Sequence, residues 1–214
     1  MDEVFQEIAR FEQHLGLPRR SYLSLLNETD WGFVVKLHSL FEAAATHVLN
    51  MRLGDGKIET ALTHLDFSNS NCGKCRLLLD LGILTKNQYS FVRLLSEIRN
   101  LLIHQIQNVS FSFETYLGTL DDNQFKSFCN RAGYNTREQI NIQDVTVPRN
   151  QFIRENAKLT LWLTGSDILG CLLAEERFVE LEAQQKELEM RALAFARRIR
   201  DLYPLIDYRS TLDA

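Results

Sequence analysis

FVELEAQQKELEMRALAFARRIRDL, residues 178–202, decides the fold class. Phe178, Leu181, Gln185, Leu188, Ala192, Phe195, Ile199 and Leu202 alternate steps of three and four residues without an error. That alternation is the seam of a heptad-patterned helix. Cys171 and Ala174 carry the seam backward, and Glu180, Glu182, Lys186, Glu187, Glu189 and Arg191 surround it with charge. A long helix packed antiparallel within the subunit reads the same way, but the polar exterior favours a projecting coiled coil that joins two or more copies of the chain. Gln185, in a core position, then sets register at some cost in stability. Pro204 ends the element.

Working outward, the rest of the chain is also helical in character. Its 214 residues are 45% hydrophobic, with only three Pro and ten Gly, which disfavours a loop-rich β architecture. The expected fold is all-α: a compact helical bundle with a long C-terminal heptad-patterned helix. A net charge of −4 offers no general attraction for a phosphate backbone. No stretch approaches the ~18 consecutive apolar residues of a membrane span, and acidic Asp2, Glu3 and Glu7 do not suit a signal peptide. A soluble, cytoplasmic protein without a membrane partner is expected.

Four segments follow from the pattern. Residues 1–20 read as an amphipathic helical arm, with Val4, Phe5, Ile8, Phe11 and Leu15 at helical spacing before Gly16-Leu17-Pro18. Residues 21–173 form the helical body, 174–204 the C-terminal coiled-coil helix and 205–214 a tail. Within the body, Trp31 through Leu49 is one long apolar-periodic helix closed by Gly54-Asp55-Gly56. A short helix near Ile58–Leu65, a polar loop at Ser68–Gly73 and a helix from Leu77 to Leu84, interrupted near Gly82, come next. Thr85 caps the helix after that. Val109–Phe113 alternates and reads as extended or a structured loop; Asp121–Cys129 reads as a short helix and Gly133–Val147 as irregular. Pro148 precedes a long core helix, recapped at Ser166 or Asp167.

Cys72 and Cys75 form an isolated Cys-x-x-Cys. A structural zinc site needs two more ligands, and His64 and Cys129 are remote in sequence. The expectation is ordinary thiols at a helix start capped by Ser70 or Asn71, with no metal and no cofactor. His38 and His47, nine residues apart on one helix, do not have metal-ligand spacing, and His14 and His64 read as surface residues.

The body's chemistry concentrates in Glu97-Ile98-Arg99-Asn100-Leu101-Leu102-Ile103-His104. Arg93, Glu97, Asn100 and His104 recur at helical spacing and form one polar stripe beside an apolar face of Phe91, Leu94, Leu95, Ile98, Leu101 and Leu102. Arg99 lies about 140° around the helix from His104 at ~100° per residue. The two converge only through the length of the Arg side chain or across a partner subunit. One reading is a structural polar lock, in which Arg99, Asn100 and His104 bond to Glu28, Asp30 or Glu42 on a neighbouring helix, with Glu97 in the same network. The other is a site that holds something anionic.

The motifs from Leu26 to Leu173 resemble the mannitol operon repressor family. They are Glu28-Thr29-Asp30, Leu40-Phe41-Glu42 with Leu49, Leu81-Gly82-Ile83-Leu84, Ile98-Arg99-Asn100 with His104, Val109-Ser110-Phe111, and Val147-Pro148-Arg149 with Phe152. The resemblance implies an all-helical regulator that acts on transcription through protein partners, without a recognised DNA-reading motif. Arg99, Asn100 and His104 also resemble the motif of the HEPN superfamily, which implies a metal-independent ribonuclease centre at a dimer interface, a toxin or antiphage effector. There His104 would be the general acid or base, Arg99 would stabilise charge on phosphorus and Asn100 would orient the phosphate, with RNA as substrate. The regulator, a homodimer or higher homo-oligomer with a protein partner, is the leading reading.

Overall fold

The computed structural model describes residues 6, 9, 10, 12, 13, 16–54, 56–103, 109–142 and 145–202. Its elements are α1 (Ser21–Ser24), a 3-10 turn (Leu25–Asn27), α2 (Asp30–Leu53), α3 (Gly56–His64), α4 (Lys74–Asp80), α5 (Lys86–Ile103), α6 (Phe113–Gly118), α7 (Asp122–Ala132), β1 (Gln139–Ile142), β2 (Val145–Pro148), α8 (Arg149–Glu155) and α9 (Ala157–Leu202). The expected all-α class holds. The chain divides into two units, Met1–Glu175 and Glu176–Ala214. Val4, Phe5, Ile8, Phe11 and Leu15 of the expected N-terminal arm, and the 205–214 tail, lie outside the described residues.

The first unit is organised around α2. Phe33, Leu37, Phe41, Ala44, Val48 and Leu49 recur at helical spacing and are all buried. Thr29 Oγ1 caps the helix by accepting from Gly32 N at 3.1 Å, and Gly54, at φ 63°, ends it in the left-handed region where a side chain is strained. α2 packs most extensively on α5, and also on α3 and α4. α5 contributes Phe91, Val92, Leu95, Ile98 and Leu102 to the same core and carries α7 on its other flank. Thr85 caps α5 as expected: Gln88 N donates to Thr85 Oγ1, and Thr85 N donates back to Gln88 Oε1 at 2.8 Å.

α9 enters the core at a near-contact point. Tyr22 Oη donates to Trp162 O at 2.6 Å, and Trp162 Nε1 donates to Tyr22 O at 2.9 Å. A Cβ on Gly165 would lie 2.9 Å from Tyr22 Oη, so α9 reaches this depth because residue 165 has no side chain. Glu12 holds Tyr22 from the other side, its carboxylate oxygens accepting from Arg20 N and Tyr22 N, each at 2.8 Å. By length and composition alone α9 is apolar enough to cross a membrane, but 61% of its most apolar window is buried inside the protein. Its apolar residues Leu161, Ile168, Leu169 and Leu172 fill the core.

Three local expectations are corrected and a fourth is narrowed. Gly133–Val147 is not irregular throughout: β1 and β2 pair antiparallel, Ile140 opposite Val147 and Ile142 opposite Val145, as alternating β-branched residues favour. Val109–Phe113, expected as extended or a structured loop, is the loop: it leads to Ser112, whose Oγ accepts from Thr115 N and starts α6 at a buried Phe113. The stretch after Pro148 breaks at Asn156 rather than at Ser166. Ser166 Oγ donates to Leu163 O at 2.7 Å, so the hydroxyl is satisfied inside a continuous helix and caps nothing. At α4 the N-cap is Gly73, not Ser70 or Asn71.

Candidate functional site

The polar stripe of α5 faces a cleft. Arg93, Ser96, Glu97 and Asn100 form one wall and the loop Asp66–Asn71 forms the other, enclosing about 330 Å³. The loop is built by short polar side chains that bond their own backbone. Asp66 Oδ1 accepts from Ser68 N at 2.7 Å, and Asn69 Oδ1 accepts from Asn71 N and Cys72 N at 2.9 and 3.2 Å. Its return leg passes so close that a Cβ on Gly73 would lie 2.5 Å from Asn69 O and 2.8 Å from Asp66 O, both backbone atoms. Only glycine fits there. Arg93 Nη1 then donates to Ser68 O at 2.6 Å and pins the loop to α5.

Arg99 and Asn100 are brought together, but not by a carboxylate. Arg99 Nη1 donates to Asn100 Oδ1 at 3.1 Å, and both residues are half-buried. With its oxygen engaged by Arg99, the Asn100 amide is fixed in orientation at the cleft wall. His104 lies outside the described residues.

The four carboxylates of the expected lock each meet a different cation. Glu28 Oε1 is 2.5 Å from Lys36 Nζ, Asp30 Oδ1 2.8 Å from Lys158 Nζ, and Glu42 Oε1 3.5 Å from a buried Lys74 Nζ. Glu97 takes two hydrogen bonds from Arg131, at 2.7 and 3.0 Å, and lies 3.9 Å from Arg93. Carboxylates therefore do tie helices together here, but Arg99 is not the cation that holds them. Pattern along one helix shows which side chains share a face; it does not show which neighbour meets them.

Sequence reasoning set His38 aside, yet the Arg99 charge acts on it. It is 4% exposed, with its ring edge-on to Phe67 at 5.0 Å between centroids. Burial, aided by the Arg99 guanidinium and opposed by Asp66, pushes its pKa down to about 4. The imidazole is thus neutral at physiological pH, packed behind the wall that carries Arg99. No local signal announces this, because the pairing joins α2 to α5 across 61 residues of sequence, from 38 to 99.

The Cys-x-x-Cys is split by its environment. Cys72 is exposed and Cys75 buried, and burial pushes the Cys75 thiol well up. Among the described residues, no group of three or more His, Cys, Asp or Glu side chains could hold a metal ion. The cleft sets guanidinium and amide donors beside the carboxylates of Asp66 and Glu97, a mixed lining suited to a polar ligand of low net charge. A separate hollow of about 1010 Å³, lined by Ala9, Glu12, Leu17, Arg20, Tyr22 and Leu23 among others, holds none of these side chains.

Compared with known proteins, the chain matches no protein-family model, no curated protein and no solved structure.

Proposed function

We propose that the protein is a helical regulator that works by protein–protein contact, in the control of transcription, with the heptad face of α9 as its contact element. The observation that carries this reading is the exposure of large apolar side chains at heptad positions. Leu181 is 62% exposed, Leu188 65% and Phe195 65%. Exposed apolar side chains repeated along one helical seam mark a surface that meets a partner. The resemblance to the mannitol operon repressor family supports the transcriptional role and a protein partner; a cytoplasmic location, without a membrane, belongs to the same proposal. Leu181→Glu with Leu188→Glu places charge in the seam at two residues of the second unit. In cells the wild-type chain should shift a defined set of transcripts and the double variant should not; an unchanged transcript response in the double variant refutes the reading.

A second reading, a metal-independent ribonuclease using Arg99, Asn100 and His104, is favoured by one observation. Asn100 lines an open polar cleft and is bonded to Arg99, where a structural lock would have spent both on a buried carboxylate. Cleavage of RNA in the presence of a chelator, lost in His104→Ala with the fold intact, selects this reading over the first.

A further inference from the structure

The residues flanking the seam of α9 are sorted by charge. With Phe178, Gln185, Ala192 and Ile199 as the a positions and Leu181, Leu188, Phe195 and Leu202 as d, the g positions are Arg177, Gln184, Arg191 and Arg198. The e positions are Glu182, Glu189 and Ala196. One flank is therefore basic or neutral throughout, and the other acidic or neutral throughout.

Resting on the reading that this face meets protein, we propose that its occupant is a second copy of the same helix, aligned parallel and in register. In a parallel two-stranded coil the g flank of one helix runs beside the e flank of the other, five residues further along. Arg177 then lies beside Glu182 of the partner subunit and Gln184 beside Glu189 of the partner subunit, each twice by symmetry. An antiparallel pair sets g against g and e against e, so arginines face arginines and glutamates face glutamates. The same sequence that attracts itself in one orientation repels itself in the other.

Gln185 selects the same orientation independently. In a parallel homodimer an a residue meets its own copy, and an amide carries both a donor and an acceptor with which to meet it. Within one chain Gln185 Nε2 donates to Glu189 Oε1 at 3.0 Å, which leaves the amide oxygen to accept across the seam. In an antiparallel coil a layers face d layers, and Gln185 would be set against Leu or Phe. Ile199 at a beside Leu202 at d is the combination that suits two parallel strands. From Phe178 to Leu202 the seam runs ~37 Å at 1.5 Å per residue, about three and a half heptads.

Residue 184 separates the orientations by sign. It is exposed on α9, so substitution there leaves the fold alone. In the parallel dimer Gln184→Lys meets Glu189 of the partner subunit and tightens association, and Gln184→Glu loosens it. Two symmetric pairs make each change about three- to fivefold in the dissociation constant. In an antiparallel dimer the g flank faces arginines, and both signs reverse. The experiment is sedimentation equilibrium on the full-length wild type and both variants. In parallel, Gln185→Cys is oxidised in a Cys72→Ser, Cys171→Ser background. A dimer, the stated order of affinities and a covalent dimer through position 185 are expected. Reversed signs, or no cross-link at 185 within a dimer, overturn the parallel assignment and leave the regulator reading standing. A chain that stays monomeric overturns the second copy as occupant, and a trimer overturns the two-stranded pairing. The regulator reading itself fails only on the transcript response of Leu181→Glu with Leu188→Glu.

Discussion

Lys158 Nζ sits 2.8 Å from Asp30 Oδ1 and donates to Glu28 O at 2.7 Å, while Asp30 Oδ2 accepts from Phe113 N at 2.9 Å. One carboxylate thus joins the start of α2, the start of α6 and the first turn of α9. Asp30 also lies in the first turn of α2, where a negative charge is favourable. Both side chains of the pair are about three-quarters buried. Asp30→Ala should cost about 2 kcal/mol, because it strands a cation and a backbone donor together. Arg99→Ala, which removes a half-exposed bond to a chain neighbour, should cost less than about 1 kcal/mol. Urea midpoints of the two variants test this ordering, and a larger loss in Arg99→Ala contradicts it.

The same residues show how far the sequence could be read. Period alone placed α2, α5 and the seam of α9, and the Thr85–Gln88 box is written in four consecutive residues. Helix positions and faces are local properties, so they were legible. The tertiary partners are not local: Arg131 meets Glu97 from 34 residues away and Lys158 meets Asp30 from 128. Choosing among cations for each carboxylate depends on crossing geometry, which no window of sequence contains. Gly73 and Gly165 belong to the same class, since each is required by a chain segment that arrives from elsewhere. The β1–β2 hairpin was overlooked for a different reason: its strands are only four residues long, too short for alternation to stand out.

Gly165 and Tyr22 set the depth at which α9 sits. An Ala at 165 puts a methyl 2.9 Å from Tyr22 Oη and 3.5 Å from Phe41, and the tyrosine ring, buried against Trp162, has little room to yield. Gly165→Ala gains helix propensity, yet the overpacking should dominate and give a net loss of about 1–2 kcal/mol. Tyr22→Phe keeps the ring and loses only the bond to Trp162 O, about 1 kcal/mol. In the double variant the shortest contact is gone, so the two losses should not add. A thermal-denaturation double-mutant cycle that proves additive removes the proposed clash.

The four thiols should divide into two pairs by reactivity. Cys72 and Cys171 are exposed, whereas Cys75 and Cys129 are buried and burial raises the pKa of both. A thiol-specific reagent at neutral pH attacks the thiolate, so both access and ionisation protect the second pair. Two thiols should titrate quickly in the native protein and two more only after denaturation. Rapid labelling of Cys75 would show that the loop around Gly73 opens readily, and that the cleft wall it builds is not fixed.

His38 gives the fold a pH dependence of known sign. Its pKa is lowered from 6.5 to about 4 in the folded chain, so between those values the unfolded chain binds a proton that the folded chain refuses. The stability it contributes is therefore whole above pH 6.5 and is lost as pH falls toward 4. At 1.36 kcal/mol per pH unit the full loss is about 3 kcal/mol. His38→Gln has no proton to take up, and its stability should be flatter over pH 5–6.5 than that of the wild type. Arg99→Ala removes a charge that opposes protonation of His38 and so raises its folded-state pKa; the loss still begins near pH 6.5 but levels off at a higher pH, and its total should be smaller than in the wild type. Chemical denaturation at half-unit steps of pH resolves both effects. Equal slopes in wild type and His38→Gln would mean that the imidazole reaches solvent, and Arg99 would then have no buried histidine to act on.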